Sequence, residues 1–140
     1  MTPLRFRGWN IDNKEMDNFG DYLYWFEERG IASEKEIGIY GWVIMQSTGL
    51  KDKNGVEIFE GDIVADRFPA GEDIGEVKWG NFYDMDGEYY PQISGHHVQW
   101  HKKCYAPSDE TFTDHLLGQV KALEVIGNIY ENPELLPAAK

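Results

Sequence analysis

The sequence predicts a mostly β fold, α+β overall: an N-terminal β-hairpin and short helix, then a small antiparallel barrel or sandwich. Three observations predict it. Short stretches such as Leu4–Trp9 and Gly75–Trp79 alternate apolar and polar residues, the period-two pattern of half-buried strands. Turn chemistry recurs between such stretches, at Asp52-Lys-Asn-Gly55 and at Glu60-Gly-Asp62. One segment has the i, i+3, i+4, i+7 spacing of a helical face, through Phe19, Tyr22, Leu23 and Phe26. Short strands with little helix between them favour antiparallel pairing.

Taken in order, Leu4 and Phe6 should point inward and Arg5 and Arg7 outward, with Ile11–Met16 as turn and return strand. Asn18 or Asp21 can cap the helix and Gly30 can stop it. Tyr24 and Trp25 lie off its apolar face, which keeps an aromatic strand as the alternative. Trp42–Met45 is continuously apolar, as in a strand covered on both faces. After the reversal at Gly55 a strand resumes at Val56 and Ile58. At Glu60-Gly-Asp62, Gly61 supplies backbone freedom and Asp62 can bond neighbouring amides before Ile63 and Val64 enter the core. Farther along, Val77 and Trp79 should face in, and Glu76 and Lys78 out. Leu123, Val125, Gly127 and Ile129 share a face of a last strand, with Gly127 at a bend or close backbone approach. Asn132 and Pro133 read as cap and first residue of a helical turn, and Leu135 and Leu136 anchor it. Glycines and prolines interrupt any period between Phe82 and Gln119, so loops are expected there. The composition changes near Gln46–Gly49, dividing an N-terminal region (1–46) from a barrel-like remainder (47–140).

Bulk properties narrow the function. The 140 residues carry a formal charge of −12, from 25 acidic and 13 basic residues. A phosphate backbone is held largely by Lys and Arg, so direct nucleic-acid binding is disfavoured. The single cysteine, Cys104, cannot close an internal disulfide, which fits a reducing compartment. The first residues lack signal-peptide character and no apolar run approaches the ~20 residues of a membrane span. A cytoplasmic protein without a membrane partner is expected.

Candidate chemistry is sparse. His96, His97, His101 and Cys104, with His115 farther on, have metal-ligating side chains; His97 and His101 would align only on a helix. Their spacing fits no standard zinc module, so surface histidines are the simpler reading. Asp52-Lys-Asn-Gly55 resembles the start of a calcium loop but lacks its alternating oxygen ligands and closing glutamate. Asp84, Asp86 and Glu88 could pair as acid and base, or form an acidic loop. We therefore assign no catalytic, cofactor-binding or metal residue. Trp79, Phe82, Tyr83, Tyr89, Tyr90, Trp100 and Tyr105 crowd the middle of the chain, and aromatics are enriched where proteins meet.

Three blocks carry a resemblance to a known family. They are Leu4–Trp9 with Lys14–Met16, Met45–Val64, and Leu123–Leu136. In residues and order they resemble the YopX family. The resemblance implies phage or prophage origin in a bacterial host, an SH3-like barrel in the C-terminal half, and no catalytic residues. The expectation is a non-enzymatic protein-binding or assembly module that engages a protein partner or itself, as a homo-oligomer. An acidic mimic of nucleic acid that blocks a host protein is the alternative, and a metal-dependent hydrolase on His97, His101 and Cys104 a weaker one.

Overall fold

In the computed structural model, residues 5–17, 42–83, 92–102, 112–116 and 119–136 are described. Strand β1 (Phe6–Asn10) reverses through Ile11–Lys14 into β2 (Glu15–Asp17), the expected hairpin. The Asn10 side chain closes that turn by accepting the Asn13 N–H at 2.9 Å. On its other side β1 pairs antiparallel with β3 (Trp42–Lys51), from Phe6 opposite Gln46 to Asn10 opposite Trp42. The far half of β3 pairs with β4 (Glu57–Phe59), giving a four-stranded sheet in the order β2-β1-β3-β4. Gln46–Gly49 thus lies inside one strand, shared between the pairing with β1 and the pairing with β4.

A five-stranded antiparallel sheet follows, of β5 (Asp62–Phe68), β6 (Gly71–Tyr83), β7 (Gln92–Lys102), β8 (Phe112–His115) and β9 (Glu124–Asn128). Its order is β8-β7-β6-β5-β9. Two of these strands occupy the stretch expected to be loops. Gly95 does not break β7 because Gly80 of β6 lies opposite it in the ladder, and Val98 and Trp100 are buried beyond it. Pairing from β6 outweighs the weak local propensity of a glycine-containing segment. Among the described residues the protein is mostly β, with almost no helix. The helix expected at Phe19–Phe26 falls outside them. No helix among the described residues is long and apolar enough to cross a membrane.

The main core joins Ile58, Val64, Val77, Val98, Trp100, Leu116 and Leu123, with Leu50, Val120 and Val125 packed against it. Strand β5, paired on both edges by β6 and β9, is buried from Asp62 through Ala65, so both its faces are covered. β9 carries a register shift that leaves Ile126 as an extra residue between Val125 and Gly127. Gly127 is a close approach, as expected: an added Cβ would stand 2.5 Å from Asn132 Oδ1. Asn132 stands at the expected N-cap position, but its side chain makes no capping bond. Its Oδ1 accepts the Asn128 N–H at 3.3 Å, while Pro133 opens a single 3-10 turn through Leu135.

Three orientations differ from expectation. Val56 lies before β4 and is 48% exposed. Trp79 shares the face of Val77 yet is 62% exposed, because β5 pairs with β6 only as far as Glu76. Beyond that, Gly61 bonds the Val77 carbonyl at 2.9 Å, and Trp79 is left opposite His96 of β7 alone. Arg7 is 6% exposed instead of outward. Its Nη2 meets Asp62 Oδ1 at 2.8 Å, and its guanidinium lies 4.8 Å above the Phe59 ring. Arg5, on the same side of the strand, stays exposed and pairs with Glu57 at 2.6 Å.

Three variants test the buried carboxylates. Arg7→Met strands a buried carboxylate and should destabilise the fold by about 3–5 kcal/mol in urea titration, whereas Arg7→Met with Asp62→Leu should recover most of that loss. Asp52→Ala removes an acceptor shared by three backbone N–H groups, and should cost roughly 2–4 kcal/mol in the same titration.

Candidate functional site

The turn between β4 and β5, Glu60-Gly-Asp62, is where the two sheets meet. Gly61 has φ +86°, which strains any side chain, and an added Cβ would crowd Met45 Sδ at 3.0 Å. Its N–H donates to the Val77 carbonyl and its own carbonyl accepts the Ile129 N–H, each at 2.9 Å. Glu60 donates its N–H to the Gln46 carbonyl at 3.0 Å and accepts Arg7 Nη2 on its carbonyl at 3.1 Å. Glu60 and Gly61 thereby tie β1, β3, β6 and the segment after β9 together.

The two carboxylates of this turn behave differently. Asp62 Oδ2 accepts the Phe59 N–H at 2.8 Å, as expected of a residue bonding neighbouring amides, and Oδ1 faces Arg7. Burial pushes its carboxyl up to about 6, despite the opposing pull of Arg7 and the Phe59 amide. Glu60 points the other way and is partly exposed: Oε1 accepts the Gln46 N–H at 3.2 Å, and Oε2 lies 3.0 Å from His96 Nε2. His96 in turn meets the Trp79 ring edge-to-face, centroids 4.7 Å apart at 67°. Glu60, His96 and Trp79 form a row running from the turn to an exposed indole.

The other histidines do not join this row. His97 is buried on the opposite face of β7, and its Nδ1–H donates to the Gly95 carbonyl at 3.1 Å. His101 Nε2 lies 3.7 Å from Glu76 Oε1. The helical alignment considered for His97 and His101 is not formed, since both lie on a strand. The backbone of His115 pairs opposite His97; Cys104 lies outside the described residues. Among those residues, no three His, Cys, Asp or Glu side chains gather as a metal site.

Asp52 makes the other turn a lock. Its Oδ1 accepts the Asn54 and Val56 N–H groups and its Oδ2 accepts the Val125 N–H, each at 2.9 Å. Burial alone would raise this carboxyl, but the three amides, aided by Lys53, hold it below its usual range. Both oxygens serve the fold. A cleft of about 340 Å³ at the β5–β6 hairpin is lined by Arg67, Phe68, Gly71, Glu72 and Lys102. Arg67 stands there between Glu72 at 3.4 Å and Glu124 at 3.6 Å, so its charge is largely offset in place. Of the aromatics proposed for a surface, Trp100 is core; Tyr89, Tyr90 and Tyr105 lie outside the described residues, as do Asp84, Asp86 and Glu88.

By sequence pattern alone Glu60 belongs to a turn, His96 to the metal-ligating residue types and Trp79 to a core face. Glu60 and His96 are 36 positions apart, and what joins them is the ladder between β6 and β7, which local pattern does not reveal.

Fold and site together define a small antiparallel β protein of two sheets organised around an acidic turn. The chain belongs to the YopX family: the family model described as YopX protein matches residues 5–137. Among solved structures it is similar to the crystal structure of protein EF1440 from Enterococcus faecalis. The two share 25% identity with a TM-score of 0.52, over 98% of this chain and 100% of that one. No curated protein matches the chain.

Asp62 gives the fold a defined pH response. Its folded value, about 6, lies above the ordinary carboxyl value of 3.8, so between those values the folded chain keeps a proton that the unfolded chain releases. Stability contributed there is complete below about pH 4 and falls as pH rises through about 6. Relative to Asp62→Asn, the wild type should lose on the order of 3 kcal/mol across that window. Urea titrations at several pH values measure the difference, and parallel curves for the two proteins would refute it.

Proposed function

We propose that this protein is a non-enzymatic protein-binding or assembly module of phage or prophage origin, working in the bacterial cytoplasm and docking through the surface around Trp79. The observation that carries the reading is the 62% exposure of a tryptophan on a paired strand. A large ring held by the backbone ladder and by His96 loses little freedom when a partner covers it, which is why Trp is enriched at interface centres. The surroundings suit such a role. Trp79–Tyr83 and Gln92–His97 contain no Asp, Glu, Lys or Arg, in a chain whose residues are 27% charged. The absence of charge lowers the desolvation cost of covering this ribbon. Membership of the YopX family supports the origin. An SH3-like description of residues 47–140 belongs to the same proposal and is supported by the run of antiparallel strands from β5 to β9.

The test pairs wild type with Trp79→Ala. The substitution should leave stability within about 0.5 kcal/mol, because the side chain is mostly in solvent. Wild type should retain a protein from host lysate with or without nuclease, or self-associate in light scattering, and Trp79→Ala should lose that association. A strictly monomeric wild type that retains nothing would overturn the reading.

A further inference from the structure

We infer that the row of Trp79, His96 and Glu60 receives a cationic side chain, an arginine above all, from a basic segment of a protein partner. The inference rests on the docking role proposed for Trp79 and names the chemistry of what docks.

The fold already contains this recognition unit in closed form. Among the described residues, the guanidinium that lies over an aromatic ring is that of Arg7, 4.8 Å from the Phe59 centroid, with the Asp62 carboxylate at 2.8 Å. Ring and carboxylate together satisfy the planar cation, one through its π-face and the other through charge-assisted bonds. Trp79 and Glu60 offer the same pair of groups at the surface. Both touch His96, the ring at 4.7 Å between centroids and the carboxylate at 3.0 Å. The imidazole therefore spaces them and fixes the indole edge-to-face. Tryptophan is the strongest of the aromatic rings in attracting a cation. The Glu60 carboxylate is held in place by the Gln46 N–H, so it is oriented before any ligand arrives.

Charge favours the same partner. The chain carries −12, and the described arginines are engaged internally: Arg5 with Glu57, Arg7 with Asp62, and Arg67 with Glu72 and Glu124. Lys78, the nearest lysine in sequence, lies on the opposite face of β6 from Trp79 by the alternation of the strand. The sequence between β6 and β7 carries Asp84, Asp86 and Glu88. A basic segment is drawn toward such a molecule from a distance, and an acidic one is repelled.

The probe is a short Gly/Ser peptide carrying two arginines, compared with its lysine and citrulline analogues near physiological salt. Binding is followed by the Trp79 indole N–H resonance, assigned by its loss in Trp79→Phe. The arginine peptide should shift that resonance saturably, more tightly than lysine, and roughly tenfold more tightly than neutral citrulline. Trp79→Ala leaves the net charge unchanged, yet should weaken arginine-peptide binding, read by calorimetry, by roughly five- to tenfold. Glu60→Gln should weaken it as well, whereas Glu72→Gln, an equal charge change at the distant hairpin, should not. Equal affinity for arginine and citrulline, or for wild type and Trp79→Ala, would overturn the inference. If a host protein is captured through Trp79 while the arginine peptide leaves its resonance unmoved, this inference fails and the docking role stands. If neither occurs, both fail.

Discussion

The buried ion pair of Arg7 and Asp62 is the constraint on which the described strands depend for their register. It joins the first strand to the first residue of β5 in the larger sheet, at 2.8 Å and almost out of water. Removing two charges from water is costly, and their mutual attraction need not repay it. What the pair provides is register. A one-residue slip of β1 would turn Arg7 to the opposite face and leave Asp62 buried without its cation. Arg7 also bonds the Glu60 carbonyl and lies over Phe59, so the pair fixes the whole path of the chain from β4 into β5. Trp9, two residues on, stacks on Tyr130 at 5.9 Å, which extends the same register to the segment following β9.

Asp52 and Asp62 both sit in turns and are both buried, yet their carboxyls shift in opposite directions. Asp52 receives three backbone N–H groups, enough to hold its charge although burial opposes it. Asp62 receives one amide and a guanidinium at a deeper position, where the loss of water dominates. Each closes its part of the fold by a different means. Asp52 is a local turn lock that reaches across to β9; Asp62 is a charge whose partner must come from the far end of the chain.

Much of the fold was legible because strands advertise themselves by alternation and turns by glycine beside aspartate. The hairpin at Phe6–Asp17, the reversals at Gly55 and Gly61, and the close approach at Gly127 follow from those signals. The errors share a cause. Period two assigns a residue to a face but says nothing about how far a neighbouring strand extends. Trp79 lies on the core face, as its alternation requires, but beyond the end of the β5 pairing. Arg7 follows the alternation away from Phe6, but that side is covered as well. β7 was hidden because Gly95 is a poor strand former alone, and its pairing with Gly80 is a tertiary fact. The site was less legible than the fold: its three members come from a turn and two strands, and each had been read separately as turn, core or metal candidate.

This division bears on where function lies. The three blocks that mark the family contain Arg7, Asp52, Gly61, Asp62 and Gly127, and the contacts of these residues are architectural. Glu60 also stands in a block, but its side chain leaves the turn and reaches His96, which stands outside the blocks and carries Trp79 beside it. The turn orients a partly exposed carboxylate toward the β6–β7 ribbon. In this chain the ribbon supplies an uncharged stretch and an exposed indole. The architecture thus fixes the carboxylate of the proposed docking surface, and the ribbon contributes its indole and imidazole.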